Sequence, residues 1–451
     1  MIDAKLAREK IEDLRKAIEY RKVDLSKADV DRWIVLDEER RKLQGQIERI
    51  NADKKELAKL GKENPESARN KGKELRDRSR ELEQSLNHVS HEWQQIFDWF
   101  PNWPDPGMPI GDGEKDNIEE KVWIPGEGYL SEGKLGIGDY STQHMPSKPI
   151  HSEGEINARH HSDLGLDIGA IDTLQASKVS GSRFAYLRGD VAKMQYAISR
   201  LLIDELFRRN YEMFIPPLLV RERALYGTSH FPEGRDQVYA IGSENVEDGN
   251  QLFLVGSSEP TNFSYFSDKS FVADQLPQKI FAYTPCFRSE AGSWGKDVKG
   301  IKRVHQFDKI EMNAVCLPSQ SEAIYREFSE INEWILQQLQ LPYRIVDKCT
   351  GDAGYLASYR QKDLEVWLSG SCEYMEVMTD TNTTDYQARR LGIRYRSEKD
   401  RGFCHTVNDT GAAMGRLLIA ILDNYQQNDG SVLIPKVLQE VVGKTHLLPT
   451  S

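Results

Sequence analysis

No stretch of this chain approaches 18 uninterrupted apolar residues, so no membrane-crossing helix is expected. Cysteine is scarce: five residues, at 286, 316, 349, 372 and 404, with no Cys-x-x-Cys pair among them. That argues against a zinc ribbon or a disulfide scaffold and favours a reducing, cytoplasmic setting. Charges run through the N-terminal MIDAKLAREKIEDLRK, which leaves no secretory apolar core. An excess of positive charge is lacking too. The formal balance of -11 argues against a general nucleic-acid coat, though not against a local basic site. Familiar catalytic loops are also missing. Residues 128–135 imitate a Walker A loop but lack its Ser/Thr and a leading apolar strand. No Gly-x-Gly-x-x-Gly follows a strand pattern, and the segment 292–295, Gly-Ser-Trp-Gly, has the wrong spacing for a nucleophile elbow. His160 and His161 have no third ligand nearby in the sequence and read as a surface pair.

At 451 residues the chain exceeds one ordinary domain, and its texture changes near residue 100. No proline precedes Pro65. Leu36, Leu43, Ile50 and Leu57 recur every seven residues, as do Ala68, Leu75, Leu82, Val89 and Ile96, with Leu86, Trp93 and Phe100 supplying a second seam position. A break at 61–65 separates the two runs. This pattern predicts two long helices folded into an antiparallel coiled-coil hairpin, each reaching roughly 50 Å. A shorter helix over 3–22 precedes it, and Ser26 with Asp29 resembles a capping box. Residues 30–100 carry 15 Lys and Arg against 15 Asp and Glu, so the remainder of the chain holds essentially all the acidity. Within the second helix Arg69, Lys73, Arg76 and Arg80 fall on one stripe, flanked by Lys71 and Arg78. Such a stripe fits a phosphate backbone, and it equally fits a solvated coiled-coil face.

Residues 101–118, rich in Pro, Gly and Asp, read as a linker, which leaves 1–100 as an arm and 119–451 as the body. In the body, strands are expected at 251–255, 279–284, 310–315 and 374–379, and helices at 188–209, 320–340 and 411–427. The irregular alternation points to an α+β domain with a largely antiparallel sheet. Residues 283–312 form the densest segment: two strand patterns joined by a Gly- and Lys-rich loop. Arg288 and Glu290 are expected on one face of the first strand, and Arg303, His305 and Phe307 on one face of the second, with Lys309 and Glu311 alternating likewise. Arg for phosphate, Phe for stacking and Glu for an amino group would suit a nucleotide, while an exposed charged hairpin is the alternative. Further on, a Gly-bearing strand enters a helix with Arg416 near its start. A cation there is unfavourable for the helix dipole unless an anion sits beside it.

These residues resemble a known family. Residues 286–292 with 304–311 are similar to motif 2 of class II aminoacyl-tRNA synthetases, in the form found in bacterial-type seryl-tRNA synthetases. Gly411–Arg416 resembles motif 3, and 209–218 resembles motif 1, which builds the dimer interface in that family. Residues 227–232, 381–390 and 101–104 match the seryl enzymes, as does the N-terminal hairpin, so the resemblance covers nearly the whole chain. It implies an α+β class II antiparallel sheet flanked by helices, and a serine–tRNA ligase that forms seryl-adenylate from serine and ATP with Mg²⁺. The acceptor would be tRNA(Ser), with tRNA(Sec) left open as a second. It further implies a homodimer whose arm, with Arg69, Lys73, Arg76 and Arg80, grips tRNA.

Carried over residue by residue, Arg288 would clamp the α-phosphate and the serine carboxylate, Glu290 would meet the adenine amino group and Phe307 its ring, and Arg416 would hold the γ-phosphate side. Ser289, Val304, Val377 and Met378 complete the ATP set. Glu376 and Thr379 would hold Mg²⁺ and ATP. Ser257, Ser258, Glu259, Glu311, Asn408 and Thr410 would surround serine. Three departures from the family pattern are expected at the amino-acid pocket: Ser257 in place of Thr, the run Met378, Thr379, Asp380 in place of Ser-Ser-Cys/Ala, and Asp409 in place of Gly. They allow either compensated change within a serine enzyme, or a paralogue with an altered acyl substrate or tolerance of a serine-mimicking inhibitor. A ligase that loads a non-tRNA acceptor and a catalytically dead binding protein stand as further alternatives.

Overall fold

The computed structural model describes all residues except 61–64, 137–144, 153, 155, 243–250, 293–298 and 451, and only the backbone of 60, 65–68 and 131–136. The expected turn at 61–65, the elbow-like segment at 292–295 and the Lys-rich part of the 283–312 loop lie largely outside the described residues. Backbone contacts divide the chain into two units, Met1–Pro101 and Asn102–Ser451.

The smaller unit is helical. Its first helix is interrupted at Lys10, giving α1 (Ala4–Glu9) and α2 (Ile11–Tyr20) where one helix was expected. The long pair is α3 (Val30–Leu60) and α4 (Pro65–Phe97). They run antiparallel: Trp33 meets Trp93 near one end, and Leu57 meets Gly72 toward the other. Asp29, not Ser26, caps α3, its Oδ1 accepting from the Arg32 amide at 2.9 Å. The seam is uneven. Leu36, Leu82, Val89, Trp93 and Phe100 are buried, whereas Leu43, Ile50, Leu75 and Leu86 are only half-buried. The unit's firmest core is a stacked aromatic cluster of Trp33, Trp93, Phe97 and Phe100, with ring centroids 4.6–5.9 Å apart.

In the larger unit a nine-stranded sheet is built from β1 (Ile118–Ile124), β2 (Gly128–Gly136), β3 (Glu212–Phe214), β4 (Gln278–Phe287), β5 (Gln306–Cys316), β6 (Tyr343–Asp347), β7 (Arg360–Leu368), β8 (Glu373–Thr384) and β9 (His405–Ala413). Their order is β2-β1-β6-β7-β8-β9-β5-β4-β3, antiparallel throughout except for the β3–β4 pair at one edge. The helices α5 (Gly189–Arg208), α6 (Ser321–Gln338) and α7 (Met414–Asn424) contribute their buried residues to a continuous apolar core with Ile310, Met312, Val377 and Val407 of the sheet. The opposite faces of β5, β8 and β9 present Lys309, Glu311, Thr379, Thr381, Asn408 and Thr410 to a cleft.

Several expectations need correction. Helix α7 starts at Met414 because 411–413 still pair with β5. Residues 102–117 are no free linker: Asn102 is buried and its Nδ2 donates to the carbonyls of Ala357 and Thr383 at 2.9 and 2.8 Å. His160 and His161 are not a surface pair, since His161 is buried and its Nε2 accepts from the Ile301 amide at 3.3 Å. Residues 128–136 form a strand, as the dismissal of a phosphate loop requires. No helix among the described residues is long and apolar enough to cross a membrane, and all five cysteines are unpaired.

Candidate active site

Two local irregularities shape the cleft. Between β7 and β8 the register slips so that Glu365 faces Glu376 while Leu364 faces Met378, leaving Val377 as the extra residue. In a regular strand Glu376 and Thr379 would point to opposite faces. The bulge brings both to the cleft. Between β5 and β9, Glu311 faces Thr410 and Ile310 faces Ala412, which makes Gly411 the extra residue. Thr410 and Ala413 consequently share the cleft face, and the chain turns at once into α7 with Arg416 in its first turn.

Two adjoining cavities of roughly 280 and 190 Å³ result, sharing Arg288, Lys309, Tyr355, Glu376 and Thr410. The first contains an aromatic floor and opposed charges. The Arg288 guanidinium lies 5.4 Å from the Phe307 ring centre, and its Nε donates to the Gly256 carbonyl at 3.3 Å. Alternation would place Arg288 and Glu290 on one strand and Arg303 and His305 on the next, but β4 ends at Phe287 and β5 begins only at Gln306. Pairing continues irregularly. The Arg288 amide donates to the His305 carbonyl at 3.0 Å, and His305 Nδ1 donates back to the Arg288 carbonyl at 2.9 Å. Glu290 adopts a φ of 51° and accepts from Arg303 at 3.0 Å. Arg416 donates to the carbonyl and the carboxylate of Glu376 at 2.7 and 2.9 Å. Desolvation opposes ionisation of Glu376, but Arg416, Lys348 and Arg288 outweigh it and hold the carboxyl below its ordinary value.

The second cavity is lined mostly by polar residues. Buried Lys309 ion-pairs with Glu311 and donates to Ser257 Oγ at 3.2 Å and Thr410 Oγ1 at 3.3 Å. Burial opposes its charge, yet Glu311 keeps it protonated. Glu259 is buried and accepts from Gln387 at 2.7 Å. Burial, and after it the charge of Glu311, push its carboxyl up to about 8. His230 is pushed down to about 3 by burial and by Arg288 and Lys309, so it is neutral. Asn408 Oδ1 is buried without a partner among the described residues. The cleft therefore offers fixed cations, a ring, an unpaired acceptor and four acidic side chains, Glu259, Glu290, Glu311 and Glu376, a set suited to a polyanion beside a small ammonium-bearing molecule.

Of the expected site residues, the cleft brings together Ser257, Glu259, Arg288, Glu290, Val304, Phe307, Glu311, Glu376, Val377, Thr379, Asn408, Thr410 and Arg416. Three lie elsewhere. Met378 is fully buried in the apolar core, because the bulge directs it to the helix side. Ser258 is buried at the start of a short helix, away from the cavity. Ser289 turns outward, its hydroxyl bonded to the Asp236 carbonyl at 2.5 Å. Asp380 and Asp409 also leave the pocket. They face each other across β8 and β9 on the helix side, and Asn332 of α6 donates to both at 2.7 Å. Burial and the neighbouring Asp380 raise Asp409 well above the carboxylate range, so it keeps a proton for its partner. Of the departures, only Ser257 and Thr379 touch the cleft. The sequence named Lys309 on the strand face without giving it a role, and it did not single out His230, Tyr355, Asp363 and Gln387. Lys309 was visible as the alternate residue between Phe307 and Glu311. His230 and Gln387 lie within the matched segments 227–232 and 381–390, whereas Tyr355 and Asp363 carry no local signal.

The chain matches the family model described as the seryl-tRNA synthetase N-terminal domain over 1–104, and the class II core domain of tRNA synthetases (G, H, P, S and T) over 241–425. It is 36% identical over 455 residues to a serine–tRNA ligase of Dictyoglomus turgidum, covering 100% of both chains, and 35% identical to that of Petrotoga mobilis, covering 98% and 99%. Among solved structures it is similar to seryl-tRNA synthetase from Pyrococcus horikoshii complexed with ATP, with TM-score 0.86, 31% identity and full coverage of both chains. It is also similar to the cytoplasmic serine–tRNA ligase from Naegleria fowleri in complex with AMP, with TM-score 0.80, 27% identity and coverage of 98% and 96%.

Proposed function

The chain belongs to the seryl-tRNA synthetases, and on that premise we propose that it activates serine with ATP and passes the seryl group to the 3′-terminal adenosine of tRNA(Ser). One observation carries this reading: Arg288, Phe307 and Arg416 converge on one cavity that opens directly into a polar one holding Glu259, Glu311, Asn408 and Thr410.

In the first step a serine carboxylate oxygen attacks the α-phosphorus, the bond to the bridging oxygen breaks, and pyrophosphate leaves. Negative charge builds on the phosphoryl oxygens, and the chain's part is to hold fixed cations against them. Arg288 sits where the two cavities join and reaches both the α-phosphate and the carboxylate. Arg416 takes the γ-phosphate side, exchanging its bond to Glu376 for the polyphosphate. Adenine lies on Phe307, with Glu290 accepting from its amino group. Glu259 and Glu311 receive the substrate ammonium, while Asn408 and Thr410 meet the hydroxyl. A hydroxyl of the tRNA adenosine then attacks the seryl carbonyl, and AMP leaves. Glu376 and Thr379 supply hard oxygen donors suited to Mg²⁺, which when bound neutralises phosphate charge. The position of Met378, Asp380 and Asp409 behind the sheet supports serine as the substrate over an altered acyl group.

Arg69, Lys73, Arg76 and Arg80 are all exposed, which fits an arm that grips tRNA by its phosphates. A homodimer fits the exposed apolar side chains near the β3 edge: Phe207 is 50% exposed and Ile215 92%. Five unpaired cysteines suit a cytoplasmic setting. The test is ATP–pyrophosphate exchange across the amino acids, with and without tRNA. Serine-dependent exchange is expected. Exchange driven by a different amino acid, or none at all, would overturn the reading.

A further inference from the structure

A neutral hydroxyl can coordinate a cation only through a lone pair, so its single proton must go to another acceptor. Thr379 Oγ1 lies 3.5 Å from Glu376 Oε1 and 2.9 Å from Asp363 Oδ1. The shorter bond takes the proton to Asp363 and frees the lone pairs for the side on which Glu376 lies. Asp363 stands directly opposite Thr379 on the neighbouring strand β7, and only 2% of it is exposed. Its carboxylate is held from every side: Lys348 Nζ lies 2.9 Å from Oδ2, and Gln361 Nε2 donates to Oδ1 at 3.4 Å. Lys348 is in turn fixed by Asp352 at 2.5 Å. A direct ligand would need oxygens free to face the ion, and those of Asp363 are engaged.

We propose that Asp363 is a positioning residue of the divalent-cation site, accepting the Thr379 proton so that Thr379 Oγ1 and Glu376 are presented together to the cation that accompanies ATP. Lys348 neutralises Asp363 and keeps it from turning into the cleft as a ligand. The inference rests on the reading of Glu376 and Thr379 as the cation pair. Outer partners of this kind, where measured, change metal affinity by roughly 10- to 100-fold when removed.

The test uses Mn²⁺ as the probe, titrated into the full-length protein saturated with α,β-methylene-ATP and followed by electron paramagnetic resonance. Asp363→Ala should weaken Mn²⁺ binding by about tenfold or more, with metal-free binding of the nucleotide unchanged. Asp363→Asn keeps an acceptor carbonyl and should restore most of the affinity, and Thr379→Val should match Asp363→Ala. Wild-type affinity in Asp363→Ala would overturn the proposal while leaving the cation pair standing. So would equal weakness in Asp363→Ala and Asp363→Asn, which would point to charge instead of proton acceptance. Wild-type protein that binds Mn²⁺ no better than the nucleotide alone would remove the cation pair and the proposal with it. If melting shows Asp363→Ala to be unfolded, Asp363→Leu, of similar volume but without an acceptor, takes its place: a tenfold loss supports the proposal, and wild-type affinity overturns it.

Discussion

Glu259 and Glu311 face one small cavity in which Lys309 is already committed to Glu311. With its carboxyl pushed up to about 8, Glu259 holds a proton near neutrality that an unfolded chain, with a value of about 4.3, has lost. Folded protein binds the extra proton, so this residue's contribution to stability falls as pH rises from about 5 to about 8. Glu259→Gln should accordingly melt above the wild type at pH 8 and close to it at pH 5. A calorimetric ranking with the wild type higher at pH 8 would contradict the assignment. Arrival of the substrate ammonium must expel that proton, so KM for serine should fall between pH 6.5 and 8, by up to about tenfold per unit. Glu259→Gln should lose this slope. Arg288→Ala removes the cation at the junction of the two cavities and should lower pyrophosphate exchange by roughly 10²- to 10³-fold. Near-normal exchange in that variant would sink the role given to Arg288.

Strand bulges decide which residues share the cleft. Glu376 and Thr379 are three positions apart, as are Thr410 and Ala413, and simple alternation would separate each pair. Their meeting depends on Val377 and Gly411 as extra residues in the ladder, which no local sequence pattern announces. The same bulge sends Met378 and Asp380 to the helix side, where Asn332 donates to one oxygen of each member of the Asp380–Asp409 pair. Replacing Asn332 by Leu removes a donor from each of two buried carboxyls and should cost about 2–4 kcal/mol in urea unfolding. KM for serine should change by less than about threefold, because the cluster lies behind the sheet. A stable variant with a greatly raised KM would show that these acids do reach the substrate. In the arm, the aromatic cluster at one end is better packed than the half-buried seam beyond it. A deletion should therefore keep Trp33, Leu36, Val89, Trp93, Phe97 and Phe100 and remove 43–86.

At the scale of the molecule, the arm and the catalytic unit are expected to act on different substrates. The 43–86 deletion, closed by a short Gly linker, should leave serine-dependent pyrophosphate exchange largely intact and sharply weaken tRNA charging. Changing Arg69, Lys73, Arg76 and Arg80 to Gln should weaken tRNA binding and flatten its salt dependence, since fewer counterions are released. The buried residues of the seam are untouched, so circular dichroism should report unchanged helicity. Unchanged charging efficiency and salt slope would return the stripe to a solvated face. The exposed Phe207 and Ile215 predict a dimer by sedimentation at micromolar concentration, dissociated by Ile215→Asp. A stable wild-type monomer would count against it.

The sequence by itself determined the α+β class, the helical hairpin and the strands β4, β5 and β8 through periodicity, while most of the residues that meet in the cleft were indicated by the resemblance of short motifs to a known family. Phe307, Lys309 and Glu311 share a face through strand alternation alone, and the heptad spacing alone makes α3 and α4 a pair. What lay beyond it was whatever depends on register between distant segments: the extra residues Val377 and Gly411, the withdrawal of Met378, Ser258 and Ser289, the pairing of Asp380 with Asp409, and the approach of Asp363 to Thr379. A slip of one residue in a strand reverses the side on which every later side chain points, and only the completed sheet determines where such slips occur.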